Sequence, residues 1–212
     1  MSNITIKNKA ELADLIRNSG IIIKDVTLSS GEKSNYYYDI KSVVLDPKGS
    51  NLIAELLIDM ISDLDVKSIG GLELGAIPIA TAIAMKSDNH PNTKNLKAFI
   101  VRKSAKKHGL EKEIEGNYIE PIVIVDDVIT TGKSILQTIE KLRYHKVKIS
   151  CVVCVLDREQ GAEQLFKDNN IEFRWLFKHS DFSKYIAKKV NEKKKLSQQK
   201  QSNKLEVQSV SH

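Results

Sequence analysis

The run Pro121 to Val125, "PIVIV", is apolar at every position. A strand with one solvated face alternates apolar and polar residues, whereas an unbroken β-branched run predicts a central parallel strand buried on both faces. The next residues narrow the choice further: Asp126 and Asp127, then "VITTGKS", then a segment with Ile135, Ile139 and Leu142 at helical spacing. The unit is strand, acidic pair, turn rich in Thr and Gly, helix, with the strand expected to end at Val125 and the acids just beyond it.

The rest of the chain alternates in the same way. A short amphipathic helix is expected over Lys9 to Asn18, and strand-like pieces around Asp25 to Leu28 and Tyr36 to Ile40. Longer helices are expected at Pro47 to Leu64, Ala76 to Met85, Lys133 to Tyr144 and Ala162 to Asn169, and strands at Ser68 to Gly71, Ala98 to Val101, Ile149 to Leu156 and Glu172 to Leu176. Such alternation predicts an α/β fold with a mostly parallel sheet. Ligands of such sheets bind beyond the carboxyl ends of the strands. Gly71 to Gly75, Arg102 onward, Asp126 onward and Asp157-Arg158 each follow a strand.

The ending "GKS" is shared with the nucleotide-binding P-loop. That pattern needs a glycine five positions before Gly132, and Asp127 stands there, so the P-loop reading fails. Backbone N–H groups of Thr130 to Ser134, the Thr and Ser hydroxyls and the positive end of the following helix suit a phosphate monoester. Carboxylates only accept hydrogen bonds, so two of them before a phosphate call for hydroxyl donors or a metal. A sugar phosphate with free vicinal hydroxyls satisfies both halves, its diol on Asp126 and Asp127 and its 5′-phosphate on the turn. The competing reading is a helix cap beside a solvated acid.

Charge is unevenly distributed. From Lys184 onward eight lysines face two acids, which is the whole net charge of +6; the chain's 33 basic and 27 acidic residues, less these, leave 25 of each. A neutral body offers no basic recognition surface for nucleic acid. Residues 191–212, with almost no apolar content, are expected to be disordered or a frayed helix end. No stretch approaches the roughly 20 apolar residues of a membrane span, and Met1 to Gly20 lacks the pattern of a secretory signal, so a cytoplasmic location is expected. Cys151 and Cys154 form C-x-x-C inside the strand-like "KISCVVCVLD". Positions three apart on a strand point to opposite faces, which predicts two core thiols rather than half a metal site. Between two strands, "RKSAKKHGLEKEIEGN" is longer and more charged than a hairpin needs, and its Arg102, Lys103, Lys106, Lys107 and His108 could form a cationic arm over a polyphosphate. A solvated hairpin of mixed charge is the competing reading.

"IVIVDDVITTGKS" resembles the phosphoribosyl pyrophosphate (PRPP) motif of the type I phosphoribosyltransferases. Four further stretches, "TLSSGEKSNYYYDIK", "GGLELGAIPIATAIA", "RKSAKKHG" and "VLDREQGA", resemble in this order segments of the orotate phosphoribosyltransferases, so that the likeness covers about residues 8–185. The resemblance implies a mostly parallel sheet flanked by helices, a small N-terminal hood over about residues 1–45, a mobile catalytic loop, and one catalytic domain over residues 1–190 before the tail. It implies that PRPP is held by Arg102, Lys103, Lys106, His108, Asp126, Asp127, Val128, Ile129, Thr130, Thr131, Gly132, Lys133 and Ser134. Lys103, Lys106, His108, Asp126 and Asp127 would serve catalysis, Thr130 and Arg158 orotate. Mg²⁺ would enter through PRPP, and a homodimer would share its active sites.

Two positions depart from the bacterial form of the pattern: Ser29 stands where many members carry Lys, and Leu74 occupies "LELG" where many carry "YKG". Lys33 and Lys41 are the candidates to supply a missing charge. The rival functions are transfer to another base, which would leave Arg158 without an anionic partner, and a non-catalytic PRPP-sensing regulator.

Overall fold

The computed structural model describes residues 3–27, 33–90, 95–103 and 113–209. Helix α1 (Asn3–Leu15) closes in a π-helical turn, Ile16–Gly20, and leads into four two-residue strands, β1 (Ile21–Ile22), β2 (Val26–Thr27), β3 (Lys33–Ser34) and β4 (Tyr37–Tyr38). They pair antiparallel, β1 with β4 and β2 with β3. Then come α2 (Ile40–Val44), α3 (Pro47–Ile61), β5 (Ser68–Leu72), α4 (Ala76–Ser87), β6 (Lys97–Val101), β7 (Ile114–Glu115), β8 (Ile122–Ile129), α5 (Lys133–Tyr144), β9 (Ile149–Asp157), α6 (Ala162–Asp168), β10 (Phe173–Lys178) and α7 (Ser183–Ser209).

The main sheet runs β10-β9-β8-β5-β6-β7. Every pairing in it is parallel except β6 with the edge strand β7. The apolar run that predicted a two-faced strand is β8, third from one edge. Its Val123 and Val125 join Cys151, Val153 and Val155 of β9 in the core shared with α1 to α4 and the start of α7. Its Ile122 and Ile124 join Val152 and Cys154 in the core beneath α5 and α6. Side-chain alternation thus divides each strand between two layers, which is why Ile122 to Val125 and Cys151 to Leu156 are apolar throughout. The same alternation sends Cys151 and Cys154 to opposite faces, both fully buried and free. Burial pushes the Cys151 thiol up to about 12.

Local chemistry sets the start of α3. Asp46 caps α3, its Oδ1 accepting the Lys48 and Gly49 N–H groups at 2.9 Å each, and Pro47 fills the first helical position, where its missing N–H costs nothing. At the acid pair the expected boundary needs correcting. The strand does not end at Val125 but continues to Ile129, with Asp126, Val128 and Ile129 opposite Cys154, Leu156 and Asp157 of β9. Pairing with a long neighbour outweighs the low strand propensity of aspartate. The two acids therefore sit on rigid strand backbone rather than in a loop.

Of the two expectations for the tail, disorder or a helix end, the described part takes the second: α7 runs to Ser209. Its first turns are anchored by Phe182, Ile186 and Val190 in the core, and Lys193 Nζ donates to the Ile23 carbonyl at 2.8 Å. A helix already nucleated by packing extends at little further cost through residues such as Lys, Gln and Leu. Among the described residues no helix is long and apolar enough to cross a membrane.

Candidate active site

At the carboxyl ends of β5, β6, β8 and β9 the chain gathers most of the predicted site. After β8, the turn Thr130 to Gly132 leads into α5, with Gly132 at φ +76°, left-handed backbone that suits glycine. A Cβ on Gly132 would lie 2.9 Å from the Phe166 ring, so the turn is also pressed onto α6. Asp126, Val128, Ile129 and the turn residues Thr130 to Ser134 line one cavity of about 430 Å³. The first residues of α5 are among this lining, and the N–H groups of a helix's first turn have no partner within the helix, an arrangement that favours an anion.

Asp127 lies outside that lining. Its carboxylate is 5% exposed and meets Lys41 of α2, with Nζ 2.6 Å from Oδ2. Asp126 Oδ1 accepts the Asp127 N–H at 2.9 Å. Both carboxylates lie against Gly75, at the start of α4: a Cβ there would be 2.1 Å from Asp126 Oδ1 and 2.5 Å from Asp127 Oδ1. Only glycine allows the loop after β5 this close to the acids. Desolvation pushes the Asp126 carboxyl well above the usual range, and the Asp127 charge adds to it. Burial pulls the Lys41 ammonium down, but its hydrogen bond to Asp127 together with the charges of Asp127, Tyr37 and Asp126 outweighs that and leaves it raised.

The cationic segment begins where β6 ends. Glu73 ties its base to the loop after β5: its N–H donates to the Val101 carbonyl at 3.0 Å, and its Oε1 accepts the Lys103 N–H at 3.0 Å. Arg102 donates its N–H to the Glu113 carbonyl at 2.9 Å, and its Nη1 lies 3.6 Å from Glu115 Oε1. Its buried Nε–H has no partner among the described residues. Arg102 and Lys103 share a cavity of about 230 Å³ with Leu72 and Ser134, which brings the root of the arm beside the end of the turn. Lys106, Lys107 and His108 lie outside the described residues, as does Ser29. Leu74, the other departure, is 68% exposed at the rim.

Thr130 and Arg158 come together because β8 and β9 end side by side, with the Arg158 N–H donating to the Ile129 carbonyl at 2.9 Å. The Arg158 guanidinium carbon stands 5.9 Å from the centre of the Tyr38 ring, and Tyr38 Oη is 2.8 Å from His179 Nδ1. Tyr36 stacks on the same imidazole at 5.5 Å. Burial lowers the His179 pKa, favouring the neutral ring that can accept from Tyr38. Asp157, 1% exposed, accepts the Glu159 N–H on Oδ1 and turns the chain after β9. Sequence reasoning missed Glu73, Gly75 as the neighbour of the acids, and the Tyr38–His179 pair. A polar residue inside "LELG" could have drawn attention to Glu73, but nothing local marks His179, which meets Tyr38 only across the fold.

Residues 45–183 match the family model described as "Phosphoribosyl transferase domain". An orotate phosphoribosyltransferase of Rhodopseudomonas palustris (strain BisB5) is 42% identical over 183 residues, covering 82% of this chain and 96% of the relative. The orotate phosphoribosyltransferase of Mycobacterium tuberculosis H37Rv, solved with Fe(III) dicitrate, superposes with a TM-score of 0.72 at 35% identity, covering 82% of this chain and 98% of that one. The same enzyme solved with PRPP gives a TM-score of 0.69 at 32% identity, covering 83% and 99%. Strand order, acid pair, phosphate turn and these likenesses agree: the chain belongs to the phosphoribosyl transferase family, among the orotate phosphoribosyltransferases.

Proposed function

We propose that the protein transfers the ribose 5-phosphate group of PRPP to orotate, giving orotidine 5′-monophosphate and pyrophosphate in pyrimidine synthesis. The observation that carries the reading is the meeting of three groups at the ends of β8 and β9: an acid pair, an anion-binding turn and an arginine. The 5′-phosphate is assigned to Thr130 to Ser134 and the ribose diol to Asp126 and Asp127. Val128 and Ile129 carry the backbone between them. Orotate lies beside Thr130, with its carboxylate on Arg158, whose planar fork matches a carboxylate bidentately. A neutral purine would leave that fork unpaired, which argues against transfer to another base. A PRPP-sensing regulator of nucleic acid would want a basic surface, and the body's charge is balanced.

As pyrophosphate leaves, positive charge develops on the ribose ring and negative charge on the leaving group, so catalysis is mainly electrostatic. Arg102 and Lys103 stand at the root of the arm that would meet the leaving group, and Lys106 and His108 are assigned to it further along. The donor set fits Mg²⁺ carried by substrate: PRPP offers pyrophosphate and ribose oxygens, two carboxylates lie beneath the diol, and Mg²⁺ keeps much of its water. When bound it would offset the charge of the departing pyrophosphate. Residues 1–190 form the catalytic domain in this reading, with a hood over about residues 1–45, residues 191–212 as an appendage, and the cytoplasm as the compartment.

The test is spectroscopic: loss of orotate with PRPP and Mg²⁺, against adenine, hypoxanthine and uracil. Turnover of a control base but not orotate would overturn the assignment. We also assign a homodimer in which Lys106 serves the acid pair of the partner subunit. Mixing Lys106→Ala and Asp127→Asn proteins under subunit exchange should then restore about a quarter of wild-type sites, because about half the dimers are hybrids with one intact site each. No recovery, with exchange confirmed by a mass-tagged subunit, would leave the loop acting within its own chain.

A further inference from the structure

Lys41 stands on α2, away from the turn after β8 and the arm, yet its ammonium meets the less exposed acid of the pair. The helix that carries it is fixed. Ile40, Val43 and Val44 are buried, the Asp39 N–H donates to the Gly20 carbonyl at 2.8 Å, and Ser42 Oγ donates to the Ser19 carbonyl at 2.8 Å. On the far side α3 crosses so close that a Cβ on Gly49 would lie 2.0 Å from the Val43 carbonyl oxygen. The lysine stem therefore starts from a defined point.

At the other end, Asp127 is held between two neighbours. Oδ2 takes the Lys41 ammonium and Oδ1 lies against Gly75, so the carboxylate plane is set by the pair of them. Asp126 leans on the same glycine through its own Oδ1. A buried carboxylate beside a second one is costly to keep charged and free to rotate unless a cation fixes it. Asp127 is the member that faces the cation, its Oδ2 2.6 Å from Lys41 Nζ.

We propose that Lys41 is a positioning residue for PRPP: by holding the Asp127 carboxylate from the hood side, it presets the acid pair for the ribose diol. The inference rests on the PRPP site assigned above but not on orotate as the base. It also separates the two candidate lysines: Lys33 lies on β3, lining a different cavity with Asp25 and Thr27, whereas Lys41 acts on the acid rather than replacing the family lysines at Ser29 and Leu74.

The experiment measures Mg²⁺-PRPP binding by calorimetry without orotate, then KM for each substrate, in Lys41→Met, Lys41→Gln and Lys41→Arg, each with its melting temperature. Loss of a hydrogen bond to a charged group predicts PRPP affinity weaker by roughly tenfold to a hundredfold in Lys41→Met. Orotate KM at saturating PRPP should change by less than about threefold, and Lys41→Arg should recover most of the loss. Should Lys41→Met fail to fold, Lys41→Gln, which keeps a donor but no charge, takes its place in the comparison. Unchanged or tighter PRPP binding would overturn the proposal. So would equal loss for both substrates in step with melting temperature, or an arginine variant no better than methionine. If wild type binds PRPP but ignores orotate, the base assignment fails while the binding comparison still decides the role of Lys41.

Discussion

Two glycines at helix starts separate the effect of backbone strain from that of crowding. Gly132 precedes α5 at φ +76° and Gly161 precedes α6 at φ +99°. Alanine at either must adopt a left-handed conformation, which costs about 1–2 kcal/mol. At Gly161 nothing lies within 4 Å of the added Cβ, so the cost ends there. At Gly132 the Cβ would stand 2.9 Å from Phe166 Cζ and 3.3 Å from Leu165 Cδ2, and Phe166 of α6 is fully buried. Crowding a packed core adds about 1–3 kcal/mol. For a domain of this size each kcal/mol lowers the melting temperature by about 2–4 °C. Gly161→Ala should thus melt roughly 5 °C below wild type and Gly132→Ala roughly 10 °C below, read by circular dichroism. Because the Gly132 turn also shapes the N–H groups to which the 5′-phosphate is assigned, PRPP affinity should fall at least about tenfold in that variant alone. Equal melting shifts in both variants, with PRPP binding intact in Gly132→Ala, would refute the claim that the turn is shaped by Phe166.

Arg158→Ala should weaken orotate use by roughly tenfold to a hundredfold while PRPP binding is spared, since a charged bond worth about 1.5–3 kcal/mol is lost; equal losses for both ligands in steady-state kinetics would remove Arg158 from the base. Asp126 holds its proton more tightly folded than unfolded, its carboxyl lying above the ordinary 3.8. Stability therefore falls as pH rises from the unfolded pKa through the raised folded one, and stays lower above it. Asp126→Asn should remove that fall, melting above wild type at about pH 8 and level with it near about pH 4, and a constant offset across melts at these pH values would contradict the assignment. Deleting Asn191 to His212 removes the Lys193 bond to Ile23 but leaves Phe182, Ile186 and Val190 in the core, so activity should persist and the melting temperature drop by less than about 4 °C; a larger drop would mean that the tail docks.

The order of the elements was legible because burial leaves a local record. Pro121 to Val125 had to be a two-faced strand, and the stripe from Leu52 to Ile61 had to be a helix laid on the core. The boundaries were less legible. Asp126 and Asp127 read as the end of a strand, yet β9 offers partners as far as Asp157, and inter-strand hydrogen bonding carried the pairing through them. The tail read as disordered or as a frayed helix end, and the choice between them lay in Phe182, Ile186 and Val190, which dock the start of a helix from which the rest propagates.

The sequence alone determined which side chains are available: a turn rich in Thr and Gly after two acids, an arginine after β9, basic residues after β6, and cysteines placed by alternation on opposite faces. Those readings depend on neighbours along the chain, whose geometry the backbone periodicity dictates. Only the tertiary structure decided which distant groups meet. Lys41 reaches Asp127 across 86 positions, and Tyr38 reaches His179 across 141. Glu73 reaches the backbone of Lys103 across 30. No periodicity encodes such pairs: the Glu73 contact follows from β5 and β6 being neighbours in the main sheet, and the other two from the packing of α2 and of the β1-β4 pair against the ends of its strands.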